Sequence, residues 1–338
     1  MERAKAWELF CQEMQPAISG SRQDFLKLLS ERCGDLKKAI LNMMNEALDL
    51  MKSRNKEEAV YFYFSLLKVD IIQHRYTLAL QVMDDHWYLD QEVIEVYGDL
   101  EFLFQPLDQL FTDLNRKRRV FVNKIDEYDL QGLLFDELAV YSSTIAHYLR
   151  YLLRDVGQED VFISMINGHY PEDGGWVIRW GEYDSDTELI IQQDLQPKTE
   201  KEWKRSLIQT EETPEWLSCS YWYQLDVLNF NCSRKDMLFI CFDRCCLKEI
   251  TFDHCVMVGS RFLQTQLINC SFVSADLRDA DFSGCKGVQL DFTDANVTGA
   301  LFSKEVIEGS NLTEEQILTA FVREEYLPQT QTMNGGVK

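Results

Sequence analysis

Apolar side chains recur with a helical period through the first part of the chain: Trp7, Phe10, Cys11 and Met14, then Leu36, Ile40, Met43 and Ala47, then Leu134, Leu138, Tyr141, Ile145 and Leu152. Spacings of three and four put each group on one face of a helix. The pattern predicts an all-helical domain over residues 1–158, with roughly six or seven helices of ordinary length. Ser21, three residues before Asp24, has the form of a capping box with Asp in the acidic place, and Gly34 and Gly98 punctuate the periodic stretches. Residues 61–67, YFYFSLL, are apolar almost all round. A helix sustains that only where neighbours cover several sides, so this segment is expected as a central helix.

Over 159–195 the pattern changes. GHYPEDGG at 168–175 is turn chemistry, and WVIRW before EYDSDTELII makes two β-rich runs around an acidic turn, a small β-hairpin insertion. Trp176 and Trp180 flank Arg179 there, and at strand spacing they share a face that could anchor a protein partner or pack on the helical domain. The polar stretch 196–214, with Pro197 and Pro214 near its ends, reads as a linker or a short helix, and 196–227 as a whole as a linker or the entry to the solenoid.

From Cys232 every fifth residue is apolar, through Met237, Phe242, Leu247, Phe252, Met257, Phe262, Leu267, Phe272, Leu277 and Phe282, and on through Phe292, Val297 and Phe302 to Ile307 and Leu312, with Gly287 the exception. Two residues before each, the side chain is often small, as at Cys245, Cys255, Ser260, Thr265, Cys270, Ala275, Ala280, Cys285, Ala295 and Ala300. One large and one small inward position in every five residues define a coil that turns a corner each pentapeptide. If four pentapeptides make a turn, Phe242, Phe262, Phe282 and Phe302 stack in one column and Phe252, Phe272 and Phe292 in another, with aliphatic columns between them and a hole at Gly287. A period of ten gives the same sorting, so the columns fit four per turn without requiring it.

The units CSFVS, ADLRD, ADFSG and ANVTG between 270 and 299 resemble the repeats of pentapeptide-repeat proteins. That resemblance implies a right-handed quadrilateral β-helix over 228–312, with coils stacked at the strand spacing of about 4.8 Å. The whole chain is thus expected as an α + β-solenoid protein. Thr313 with Gln316 has the form of a capping box opening a helix over 313–322 that would close the open end, and 323–338 is expected as a flexible tail. The start is less regular: Lys235, Ile240 and Ile250 stand where small residues are expected, whereas Leu217, Trp222 and Val227 already keep the phase.

Charge narrows the function classes. Acids outnumber bases 56 to 34, a formal charge of -22 that disfavours direct binding to nucleic acid or an anionic membrane. No apolar run reaches membrane-spanning length and no secretory leader stands at Met1, so a cytoplasmic location is expected. Cys241, Cys245, Cys246, His254 and Cys255 have the donor types zinc selects, but the repeat phase turns Cys245 and Cys255 inward and Cys241 and Cys246 outward, so no metal is expected. Asp184 and Asp186 lack the glycine and distant Glu of a calcium loop. Arg116 to Arg119 follow a helical stretch and read as a solvated face in preference to an anion site, and His147 has no nucleophile geometry. No catalytic residue, cofactor or metal ligand is nominated.

The reading is therefore a non-enzymatic interaction or scaffold protein with an unidentified protein partner. Mimicry of duplex DNA toward a type II topoisomerase, known for some pentapeptide-repeat proteins, is one alternative, but residues 232–302 hold nine acids against seven bases, too balanced for a DNA-like rod. A ligand pocket or enzymatic site in the helical domain is the other.

Overall fold

The computed structural model of the chain describes residues 2–122, 124–166, 175–183, 187–209 and 217–323. It divides into two compact units, Met1–Leu195 and Gln196–Lys338. The expected tail at 323–338 lies outside the described residues beyond Arg323.

The first unit has the expected helices but is not all-helical. Helix α1 (Arg3–Arg54) runs 52 residues, and β1 (Tyr61–Leu66), the short α2 (Lys68–Ile71), β2 (Thr77–Met83) and β3 (Ile94–Asp99) come after it. Then come α3 (Glu101–Arg118), α4 (Glu127–Leu152), α5 (Asp160–Met165), β4 (Trp176–Glu182) and β5 (Thr187–Gln193). The strands form one sheet in the order β3-β2-β1-β4-β5, with β1 and β4 parallel and the other pairs antiparallel. Residues 61–67 are thus a central strand and not a helix: Phe62, Phe64 and Leu66 are fully buried while the hydroxyl-bearing Tyr61 and Tyr63 face the other way. The alternation Tyr-Phe-Tyr-Phe is a period-two signal that disappears when tyrosine is counted as apolar. The β-rich runs after Gly175 are likewise no insertion, since β4 pairs with β1 and belongs to the main sheet.

α1 also passes through Pro16, Gly20 and Gly34, so no helix starts at Ser21. The Ser21 hydroxyl instead donates to the carbonyl of Pro106 at 2.8 Å and lies 2.7 Å from the Tyr141 hydroxyl. The neighbouring Arg22 donates through two nitrogens to the buried Glu137 carboxylate at 2.7 Å each, a forked pair that fixes α1 against α4. A core of Phe10, Phe25, Phe104, Tyr141, Phe162 and Trp180 fills the space between helices and sheet.

The second unit opens on α6 (Glu200–Gln209) and then coils. Its strands are β6 (Tyr221–Tyr223), β7 (Asp226–Asn231), β8 (Cys241–Asp243), β9 (Cys246–Thr251), β10 (Arg261–Leu263), β11 (Gln266–Ile268), β12 (Asp281–Phe282), β13 (Lys286–Val288) and β14 (Leu301–Ser303). After them come α7 (Lys304–Glu308), α8 (Glu314–Thr319) and β15 (Phe321–Arg323). Two parallel sheets run along the coil, β15-β14-β12-β10-β8-β6 and β13-β11-β9-β7. Their registers pair residues 20 apart, such as Arg261 with Cys241 and Asp281, and Leu267 with Leu247 and Gly287. Single bridges make two further ladders at the same step, Asp236-Val256-Asp276-Asn296 and Thr251-Ser271-Asp291. Four ladders at a step of 20 choose four pentapeptides per coil over the other sortings that a period of ten allowed.

Coiling begins earlier than residue 228. Tyr221–Tyr223 already pairs with Cys241–Asp243, so of the two readings of this segment its end is an entry to the solenoid, and the polar stretch before it contains the short helix α6.

Candidate functional site

The repeat interior is built one pentapeptide at a time. Backbone φ is positive at every fifth residue through most of the coil, at Gln224, Asn229, Arg234, Phe239, Arg244, Glu249, His254, Gly259, Gln264, Asn269, Ser274 and Asp279, and again at Gln289, Asp294 and Gly299. Each is a corner in the left-handed region that returns the chain by one side. Corner amides donate to the carbonyl 19 residues on, as Arg244 does to Leu263 and Ser274 to Thr293, both at 2.9 Å. Coil-to-coil bonds of this kind satisfy backbone groups that a turn otherwise leaves to water.

Phe242, Leu247, Phe252, Met257, Phe262, Leu267, Phe272, Leu277, Phe282, Phe292, Val297 and Phe302 all point inward, none more than 1% exposed. Phe262 stacks on Phe242 and Phe282 at centroid distances of 5.5 and 4.6 Å, and Phe272 on Phe252 and Phe292 at 5.1 Å each. Between the columns rings meet edge to face, Phe272 on Phe282 at 5.7 Å and 90°. Both arrangements suit the ring quadrupole. Gly287 leaves no hole: a Cβ there would lie 2.6 Å from Leu290, because Leu290 stands at the small-residue position of the next unit and fills the space together with Val306 of α7.

The small inward positions also carry hydrogen bonds. Cys245, Cys255 and Cys270 donate their thiols to the carbonyls 23 residues back, Trp222, Cys232 and Leu247, at 3.1, 2.9 and 3.3 Å, and the Thr265 hydroxyl does the same to Phe242 at 2.9 Å. Burial pushes the Cys255 and Cys270 thiols up to about 11 and that of Cys245 up to about 12. At neutral pH these thiols are protonated and serve as hydrogen-bond donors.

Residues 245–284 match the pentapeptide-repeat family in eight copies. The second unit carries pentapeptide repeats. Among similar solved structures, a pentapeptide repeat protein from the Arabidopsis thaliana thylakoid lumen is 25% identical, over 28% of this chain and 72% of that one, with a TM-score of 0.25. HetL, involved in heterocyst differentiation regulation in Nostoc sp. strain PCC 7120, is 18% identical over 31% of this chain and 44% of its own, TM-score 0.21. QnrB1, a plasmid-mediated fluoroquinolone resistance protein, is 19% identical over 28% of this chain and 63% of its own, TM-score 0.14. No curated protein matches the sequence.

Two helices stand at the ends of the pentapeptide-repeat coil. Trp203 of α6 is fully buried against Trp222 and Phe242 at 5.0 and 5.7 Å, covering the first coil. At the other end Thr313 and Gln316 form a reciprocal capping box at the start of α8, and the Gln316 amide also donates to the carbonyls of Phe292 and Ala295 at 2.8 and 2.9 Å. Outside, the β7-β9-β11-β13 face presents Leu228, Lys248, Ile268 and Val288 at the 20-residue step, with Leu228 and Val288 more than half exposed. Sequence reasoning passed over this stripe because it tracked the inward phase; the signal was there, in Leu228, Ile268 and Val288, each one residue after an inward position.

The Trp176-Arg179-Trp180 group is not a partner anchor. Trp176 and Trp180 are buried in the core of the first unit, and Trp180 donates from Nε1 to Ser142 Oγ at 2.9 Å. Arg179 donates from Nε to the Thr187 hydroxyl at 2.7 Å across the β4-β5 pair. His147 sits on the exposed side of α4 beside Tyr151, and Asp184 and Asp186 lie outside the described residues. Among the described residues one group of three donors has ligand atoms within 4.8 Å of one another, Asp84, Asp85 and His86. They are consecutive and mostly exposed, and His86 Nδ1 lies 2.8 Å from Asp85 Oδ1, so the side chains bond each other.

Proposed function

We propose that this chain is a non-enzymatic interaction protein, in which a right-handed, four-sided pentapeptide-repeat coil acts as a rigid frame that holds an outward apolar stripe for a protein partner in the cytoplasm. The stripe carries the reading. Leu228, Ile268 and Val288 stand at fixed register on one sheet, with Lys248 between Leu228 and Ile268, and Leu228 and Val288 keep more than half their surface in solvent beyond any cross-strand packing. The inward residues belong to the core, and the inward thiols of Cys245, Cys255, Cys270 and Cys285 are engaged by carbonyls, which leaves recognition to the outer faces. The near balance of acids and bases in 232–302 favours a protein surface over mimicry of a nucleic acid, and the charge of -22 opposes binding to nucleic acid itself.

Affinity capture with the full chain and with a Leu228→Lys/Val288→Lys variant tests this. Both changes point to solvent and leave the fold intact, so proteins captured by the parent and lost by the variant support the stripe. Identical captured sets would remove the stripe from recognition.

A further inference from the structure

The end of α3, the loop after it and the first turns of α1 and α4 enclose a concavity of about 590 Å³ lined by Arg3, Arg118, Arg119, Lys124, Val122 and Ile125, with Asp126 as its acid. We propose that this concavity binds a soluble phosphorylated small molecule, its phosphoryl group held by Arg118, Arg119 and Lys124 and its organic part lying on Val122 and Ile125.

Several cations around the concavity are already engaged. Arg116 pairs with Asp113 at 2.6 Å, Lys117 reaches Glu13, and Arg3 reaches Asp126 and Asp129 at 2.9 and 3.0 Å. Arg118, Arg119 and Lys124 make no ion pair with a described residue, in a chain where acids outnumber bases 56 to 34. Offsetting the carbonyl end of α3 explains cations within its last turn. Arg119 is the C-cap residue and shares that role, whereas Lys124 lies past it, so helix stability gives no reason for Lys124.

The ligand's size is set by the space and the charge. A volume near 590 Å³ falls within the range of roughly 300–1,000 Å³ usual for small-molecule sites, larger than bare phosphate needs. Val122 and Ile125 supply an apolar wall, and two arginines offer the planar fork that suits phosphoryl oxygens. An extended anionic surface would bring the whole charge of -22 against itself, whereas a small anion inside the concavity meets chiefly the local cations, since screening confines fields to about 8 Å at physiological salt. The site is independent of the proposed partner stripe, which lies in the other unit.

Calorimetric titration of the full chain with inorganic phosphate, pyrophosphate and adenosine monophosphate, with Arg118→Gln/Arg119→Gln and Lys124→Gln variants beside it, tests the proposal. Lys201→Gln, an exposed change on α6, is the control. Binding of pyrophosphate or the nucleotide that weakens about tenfold or more in the double variant and falls with added salt is expected, because each lost charge-assisted bond costs a large fraction of a decade or more. Unliganded variants should melt within a few degrees of the parent, since the replaced side chains make no ion pair with a described residue and lose only the offset of the α3 carbonyl end. No binding of any of the three at millimolar concentration, equal affinity in the double variant, or attachment only to phosphatidylserine vesicles without binding of the soluble probes would each overturn it.

Discussion

Phe262 touches rings on three sides, stacked on Phe242 and Phe282 and edge-on to Phe272 at 6.1 Å. Truncation to Ala removes ring area from a column with no loose neighbour to collapse into the space, so Phe262→Ala should cost about 3–5 kcal/mol. Urea denaturation followed by circular dichroism reads this, with Leu228→Ala on the outer face as a control that should stay within about 0.5 kcal/mol of the parent. A near-neutral Phe262→Ala would remove Phe262 from the core. The cysteines give a pH dependence of definite sign. Burial raises the Cys255 and Cys270 thiols from 9.0 to about 11, so the folded state keeps protons that the unfolded state releases. Their contribution to stability is fully present below pH 9 and is lost as pH rises through about 11. Urea midpoints should fall across that window, and less steeply in a Cys255→Ala/Cys270→Ala variant.

At the scale of elements, the long α1 and the capped coil differ in how far local preference decides them. Gly34 lies in the exposed interior of α1, and a Cβ built on it meets nothing within 4 Å. Gly34→Ala should therefore stabilise the first unit by about 0.5–1 kcal/mol through the unfolded chain's lost freedom, measurable as a higher melting temperature. The same glycine misled the sequence reading, which took it as a helix end; tertiary packing against α3 and α4 holds the helix through a residue whose own preference opposes it. The coil was legible because an inward residue every five positions cannot be produced by helix or ordinary strand, whereas the 20-residue register, which the Phe columns allowed without requiring, comes from the paired ladders. The sheet of the first unit was not, since Tyr61 and Tyr63 are apolar by composition and polar by placement. Nor was the cap at the first coil: Trp203 sits in a polar stretch that reads as a linker or short helix, and only the rings of Trp222 and Phe242 packed on it show what it covers. Trp203→Ala should uncover that end, cost about 3–5 kcal/mol, and speed hydrogen exchange first in β6 and β7.

For the molecule as a whole, the buried apolar residues fall into two clusters that share no member, one running from Ala6 to Ile190 and the other from Trp203 to Val306. Each unit thus has its own source of hydrophobic stabilisation, and their internal logic differs. The first depends on contacts between elements far apart in sequence, such as Arg22 with Glu137, whereas the coil adds neighbouring turns 20 residues apart. Repeat stacks gain stability turn by turn, so damage to one turn weakens the stack while leaving a separate core untouched. Scanning calorimetry of the full chain should show two transitions, with Phe262→Ala lowering one and Glu137→Gln, which leaves Arg22 with a neutral partner, lowering the other. A single transition shifted by both substitutions would mean that the clusters melt together, and stability would then be a property of the chain and not of its units.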